Sequence, residues 1–113
     1  MTEILVRKAE GTWSVRAGGA VLVESSNALE LDEPGHAPVI YFPREDIAMA
    51  FLEASDRATH CPHKGDAGYF SIVTKSKTIP NAAWCYDDPK DDVAAIKGHL
   101  AFHASEDVTV EQL

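Results

Sequence analysis

A short segment in the middle of the chain concentrates the side chains best suited to chemistry. Residues 59–65 read Thr-His-Cys-Pro-His-Lys-Gly, which places a thiol, two imidazoles and an ammonium close together. A nearby cation lowers the pKa of a cysteine thiol, and the thiolate is the nucleophilic form. Cys61 is therefore a candidate nucleophile, with Lys64 as its stabilising cation. The alternative interpretation is that Cys61 is a small buried hydrophobic residue, as free cysteines often are.

The same segment raises the question of a metal or phosphate site. The chain has no Cys-x-x-Cys pair, and His60-Cys61-x-His63 is not a zinc-finger spacing. A P-loop needs Gly before Lys and Ser or Thr after it, whereas here Lys64 precedes Gly65. We therefore expect no metal and no cofactor, and Lys64 is left as a point charge that could meet an anionic ligand. The six candidate zinc ligands considered are His60, Cys61, His63, Cys85, His99 and His103.

Four aromatic residues with polar groups accompany this segment along the chain. Side chains of this type line small-molecule pockets, but they also fill the cores and rims of β domains. Trp84 and Tyr86 alternate, so a strand would place both on one face of a sheet. Carboxylates such as Glu30, Asp32 and Glu33 could act as an acid or base, although an acidic chain brings such groups together by chance. The four aromatic residues are Tyr41, Tyr69, Trp84 and Tyr86.

Composition and charge exclude several classes of protein. The chain has 113 residues with a formal net charge of −8, from 18 acidic and 10 basic residues. This balance opposes binding to nucleic acids and to anionic membranes, both of which require Lys and Arg. Since the apolar runs are far shorter than the roughly 20 residues of a membrane span, and the N-terminus does not resemble a signal peptide, we expect a cytoplasmic protein. The size predicts one domain, residues 1–113.

The pattern of apolar residues predicts short strands with little helix. Residues 12–16 alternate, Gly18 and Gly19 follow, and residues 20–24 are again β-rich. Two glycines between such runs predict a tight hairpin, because a primed turn needs positive φ angles. Further β-rich runs give about seven to nine strands and a mainly β fold. These further runs are residues 4–8, 28–31, 39–42, 69–74, 79–86, 99–103 and 108–110.

Proline and glycine residues indicate where the segments that connect the strands begin and end. Pro43 is suited to the first position of a short helix, whose apolar face would carry Ile47, Ala50 and Phe51. Residues 57–60 read as a loop or strand end leading to Cys61, and Pro80 with Asn81 interrupts the run 79–86. Pro62 and Gly65 favour a tight turn, and a helical turn near residues 93–96 should end at Gly98.

Taken in order, these segments resemble the domain-of-unknown-function family 427 over nearly the whole chain. The resemblance rests on the hairpin followed by residues 23–25, on Tyr-Phe-Pro-Arg-Glu-Asp-Ile at 41–47, on residues 59–69, on Ala-Trp-Cys-Tyr at 83–86, and on residues 96–102. It implies a β-tent, in which two small antiparallel sheets meet over a cleft, with one or two short helices. Many proteins related by this fold hold a structural zinc ion with Cys-x-x-Cys pairs. This chain lacks those pairs, so the resemblance does not imply a zinc site here.

Departures from the family pattern select the residues expected at the cleft. Cys85 stands where the family usually has Ser, and His63 stands where an aromatic residue is common, so neither is expected to be essential. The prediction is a domain that binds a small polar or anionic ligand, with Lys64 and Arg44 supplying positive charge. A thiol-dependent enzyme using Cys61 is one alternative, and a structural or protein-interaction domain is another. The predicted ligand-binding residues are Tyr41, Arg44, Lys64, Tyr69, Trp84 and Tyr86. An exposed strand edge would also permit homo-oligomers.

Overall fold

Residues 3–113 are described by a computed structural model, and their regular structure is almost entirely β-strand. The prediction of a mainly β fold is confirmed. The hairpin expected at Gly18 and Gly19 joins β2 to β3, and both glycines have positive φ angles, +56° and +81°. The strands are β1 (Leu5–Lys8), β2 (Trp13–Ala17), β3 (Ala20–Ser25), β4 (Leu29–Asp32), β5 (Val39–Tyr41), β6 (Leu52–Cys61), β7 (Gly65–Val73), β8 (Thr78–Tyr86), β9 (Leu100–Phe102) and β10 (Val108–Gln112).

The strands form three antiparallel sheets, in the orders β1-β4-β5, β10-β2-β3 and β6-β7-β8-β9. The first and third sheets are joined where Phe42 and Leu100 exchange two backbone hydrogen bonds of 2.7 and 2.9 Å. This bridge places β5 beside β9, whose other neighbour, β8, holds Trp84. The β-tent form implied by the resemblance stays a prediction.

Short helices occupy two of the connections. The helix expected to begin after Pro43 is instead two 3-10 helices, Arg44–Asp46 and Met49–Phe51. The reason is tertiary, because the intervening Ile47 is extended and forms an antiparallel bridge with Val23. A third 3-10 helix, Asp91–Ile96, is followed by Gly98 at a φ of +72°, as the sequence predicts.

One sequence expectation about strand continuity was wrong. Residues 57–60, predicted as a loop or strand end, are the last part of the long strand β6, whereas β8 continues through Pro80 and Asn81, which were expected to interrupt it. Hydrogen bonding to β7 keeps both segments within their strands despite residues that disfavour a strand. A β-bulge in each pairing accommodates the resulting change of register. Asn81 takes a φ of +51°, while its side-chain oxygen accepts a hydrogen bond from Ser55 across 2.5 Å.

Buried side chains form two clusters on opposite faces of the β6-β7-β8-β9 sheet. Along β8, Ala83 and Cys85 belong to the larger cluster, which also contains Phe42 and Val15. Tyr86 belongs to the smaller cluster, with Tyr41, Ala67, Val93 and Ile96. This alternation is the period-two geometry of a strand. Candidate side chains on the same face of the sheet can therefore contact one another, whereas those on opposite faces cannot.

Candidate functional site

Most of the predicted site residues lie on one face of the β6-β7-β8-β9 sheet. On β8, Trp84 and Tyr86 share this face, and they pair across the ladder with Tyr69 and Ala67 of β7. Cys61, at the end of β6, packs against the same cluster as Tyr69 and Trp84. We call this side of the sheet the Trp84 face, and the side that carries Cys85 the Cys85 face.

The segment 61–65 forms the tight turn that Pro62 and Gly65 predicted. The backbone N–H of Lys64 donates to the Cys61 carbonyl across 3.2 Å, and Gly65 follows with a φ of +117°. Glycine is required at this point, because that backbone angle strains any L side chain and a Cβ would lie 3.2 Å from the carbonyl oxygen of Asp88. The turn fixes Lys64 beside the start of β7.

The side chain of Lys64 is turned into the fold. Its Nζ donates to Glu33 Oε1 across 3.2 Å and lies 3.7 Å from Cys61 Sγ. The Lys64 and Glu33 side chains are only 14% and 13% exposed. The positive charge predicted for a ligand is therefore matched by an internal carboxylate. Sequence reasoning did not identify Glu33 as this partner, because residues 33 and 64 meet only through the tertiary fold.

The side chain of Tyr41 contacts Trp84 through a hydrogen bond and a ring contact. The Trp84 indole N–H donates to the Tyr41 hydroxyl across 3.2 Å, and the two rings meet edge to face at 6.3 Å. Burial raises the pKa of Tyr41 to about 12, an effect that exceeds the opposing hydrogen bond from Trp84. Burial also raises the pKa of Tyr86, with a further contribution from Tyr41. Both phenols are neutral near pH 7, so they serve as hydrogen-bonding and packing groups rather than as bases.

Arg44 is separated from this group by the sheet. Its guanidinium lies on the Cys85 face, where it donates to the Gly98 carbonyl across 2.9 Å and approaches Cys85 Sγ at 3.6 Å. It also lies 5.6 Å from the centre of the Phe70 ring. The two cations that the sequence prediction assigned to one cleft, Arg44 and Lys64, therefore do not lie together.

The two thiols differ in environment. Cys85 is 2% exposed, and burial, followed by the charge of Asp87, raises its thiol pKa. Cys61 is half-buried on the other face, beside Lys64, and both cysteines are free. Within residues 3–113, no group of three or more His, Cys, Asp or Glu side chains is placed to hold a metal ion.

A groove of about 570 Å³ lies at the β9 edge of the sheet, where side chains of both clusters meet. Trp84 forms one wall, and the His103 ring packs on it with 4.3 Å between ring centres. Trp13 of β2 contributes the second indole. Of the predicted site residues, Trp84 belongs to this lining. The lining consists of Trp13, Glu30, Pro38, Val39, Ile40, Trp84, Phe102, His103, Ala104, Val110 and Gln112.

Sequence reasoning missed the importance of Trp13 and His103. The alternation along β2 did indicate a shared face for Trp13 and Val15, but Trp13 enters the groove because β2 pairs with β10, where Gln112 lies opposite it. His103 follows β9 and reaches Trp84 because β9 pairs with β8. Tyr69 is not part of the groove lining, and the Arg57 guanidinium lies 5.1 Å from its ring.

Comparison with known proteins gives one family. A family model described as "Domain of unknown function (DUF427)" matches residues 5–112. No curated protein matches the chain. Separately, none of the helices within residues 3–113 has the length and apolar character needed to cross a bilayer.

Proposed function

The chain belongs to the DUF427 family of uncharacterised domains, and we propose that it is a small-molecule-binding domain whose site is the groove between Trp13 and Trp84. Of the residues predicted from the sequence, Trp84 belongs to this site, whereas Lys64, Arg44 and Tyr86 do not. Lys64 forms an ion pair with Glu33, and Arg44 lies on the Cys85 face of the sheet.

One observation carries the proposal. The sequence contains two tryptophans, and both line the same groove. Ligand pockets commonly measure about 300–1,000 Å³, and are walled by aromatic and aliphatic side chains with a few polar groups. A groove of about 570 Å³ with Glu30 and Gln112 among apolar residues meets this description. Indole rings offer a large flat surface, so the favoured ligand has a flat apolar part.

The tyrosine cluster gives the groove a rigid wall. Trp84 is held on one side by the Tyr41 hydroxyl and on the other by the His103 ring. Tyr41 is itself 1% exposed and packed among buried side chains. A wall that is already ordered loses little conformational entropy when a ligand binds, which favours affinity. In this proposal Tyr41 is a positioning residue, and Trp84 is the contact residue.

Intrinsic fluorescence tests the proposal directly, because both indoles report on the groove. A library of small aromatic compounds should include ligands that quench or shift this emission and raise the melting temperature. Ala104→Phe should fill the groove and weaken such ligands by about tenfold or more, while Ala95→Phe, at another exposed alanine, should leave the affinity unchanged. Ligands that bind equally well to both variants would place the site elsewhere.

A second candidate function is thiol chemistry at Cys61. It is favoured by the Lys64 ammonium, which lies 3.7 Å from the sulfur and can stabilise a thiolate. A structural or protein-interaction role is the remaining alternative, and it is supported if neither ligand binding nor thiol reactivity is found.

A further inference from the structure

We propose that the groove selects organic cations, that is, an ammonium or amidinium group attached to a flat apolar body. The inference rests on the proposed function and adds the charge of the ligand. It replaces the anionic ligand expected from the sequence, because the two cations that motivated that expectation lie outside the groove.

The charged groups of the groove are arranged to receive a positive charge. The lining, which is drawn from residues 3–113, contains one carboxylate, Glu30, and no Lys or Arg. Arg7 contacts Glu30 from outside this lining, and both of its hydrogen bonds, of 3.2 and 2.8 Å, end on Oε2. Neither bond from Arg7 ends on Glu30 Oε1. The Asp32 carboxyl also contacts Glu30: Arg7, followed by this contact, lowers the pKa of Glu30, while Glu30 raises the pKa of Asp32, so Glu30 is the carboxylate that keeps its negative charge.

The surrounding charges do not neutralise this carboxylate completely. The Arg7 guanidinium is shared, since its Nη2 also lies 3.2 Å from Asp32 Oδ2. Two carboxylates thus share one guanidinium, and the trio carries a net charge of −1 when all three groups are ionised. Lys8 and Glu10 line an adjoining polar depression, together with Arg7.

The aromatic walls favour a cation for an independent reason. The face of an indole attracts a positive charge more strongly than the faces of Tyr and Phe rings. The third ring, His103, adds no competing charge near pH 7, because burial, followed by the nearby Arg57, lowers its pKa. Gln112 donates its Nε2 to the Glu10 carbonyl, and its amide oxygen remains an acceptor. Electrostatic and aromatic contributions therefore agree in sign.

Three probes of similar size and different charge test the inference: benzyltrimethylammonium, N-benzylacetamide and phenylacetate. Affinities would be measured on the full chain by quenching of the two indoles and by calorimetry. We expect the cation to bind about tenfold more tightly than the neutral and anionic probes, and this preference to decrease at high salt. Equal or tighter binding of the neutral or anionic probe would overturn the inference and leave the proposed function standing. No binding by any probe would count against both.

Paired variants separate charge from folding. Glu30→Gln should weaken benzyltrimethylammonium by about tenfold and N-benzylacetamide by much less, so that most of the cation preference is lost. Arg7→Gln should strengthen cation binding several-fold, because it frees Glu30 from its partner. Asp107→Asn is the matched control, since it removes the carboxylate of another partly exposed ion pair, with Lys77, and Asp107 is not part of the groove lining. A loss of cation binding in both Glu30→Gln and Arg7→Gln would indicate structural damage and contradict the assigned role of the Glu30 charge.

Discussion

The indole N–H of Trp84 donates to the buried hydroxyl of Tyr41 across 3.2 Å, and this bond connects the interior tyrosine cluster to the wall of the groove. Tyr41 belongs to β5 and Trp84 to β8, so the bond spans two sheets that are joined at Phe42 and Leu100. The orientation of the groove wall therefore depends on how these sheets meet.

Tyr41→Phe should destabilise the protein by about 1 kcal/mol and weaken ligands of the groove, because Trp84 loses its acceptor and its fixed orientation. Urea denaturation and indole fluorescence would measure the two effects. Tyr86→Phe is the control, since Tyr86 is also a buried tyrosine, and no side-chain hydrogen bond to its hydroxyl is found within residues 3–113. Equal losses of stability and ligand affinity in the two variants would show that the Tyr41–Trp84 hydrogen bond does not orient Trp84.

Lys64→Met should destabilise the protein by about 2 kcal/mol, because it leaves the nearly buried Glu33 carboxylate without its partner. The double variant Lys64→Met/Glu33→Leu should recover much of this loss. Lys77→Met is the control, since the ion pair of Lys77 with Asp107 is about half exposed and should contribute about 0.5 kcal/mol or less. If the two single losses at positions 64 and 33 simply add in the double variant, the ion pair does not couple them.

Cys61 should react with iodoacetamide in the native protein, and Cys85 should react only after unfolding. Cys85 is buried and its thiol pKa is raised, so both access and thiolate formation are reduced. In the thiol-enzyme candidate, Lys64→Gln slows the labelling of Cys61 by several-fold, because it removes the ammonium that lies 3.7 Å from the sulfur. Mass spectrometry of peptides would follow each site. Labelling of Cys61 that is slow and unaffected by Lys64→Gln would remove the thiol-enzyme candidate.

The stability contributed by neutral His103 should be lost in mildly acidic solution. Its folded-state pKa lies below the ordinary 6.5, so the unfolded chain binds a proton more readily than the folded one. The contribution is fully present above pH 6.5 and decreases as the pH falls through that value toward the lowered pKa. The stability difference between wild type and His103→Gln, measured in urea, should therefore shift in favour of the variant between pH 7.5 and pH 5. A difference that does not change with pH would refute this assignment.

Gly65→Ala should destabilise the protein by about 2 kcal/mol, because a Cβ meets both an unfavourable φ and the carbonyl of Asp88. Gly68→Ala, three residues along the same strand, should be nearly neutral, since its Cβ would have no neighbour within 4 Å. Thermal unfolding of the two variants makes the comparison. Similar melting temperatures would show that the turn at 61–65 tolerates a side chain.

Local sequence determined the features that depend on nearest neighbours. Gly18 and Gly19 specify the hairpin, Pro62 and Gly65 specify the turn, and alternation along residues 83–86 places Trp84 and Tyr86 on one face. Each follows from a backbone preference or from the two-residue period of a strand. The same local rules failed at Pro80 and Asn81, where pairing with β7 decided the outcome.

Tertiary structure decided which residues join Trp84 in the site. Pairing of β2 with β10 and of β8 with β9 places Trp13, Trp84 and His103 around one groove, although they are far apart in the chain. The fold also turns Lys64 toward Glu33 and places Arg44 behind the sheet. A strand's period fixes which of its own residues share a face, but the choice and register of its partners depend on the burial of the whole chain. The sequence could therefore indicate Trp84, while its neighbours in the groove emerged only from the folded molecule.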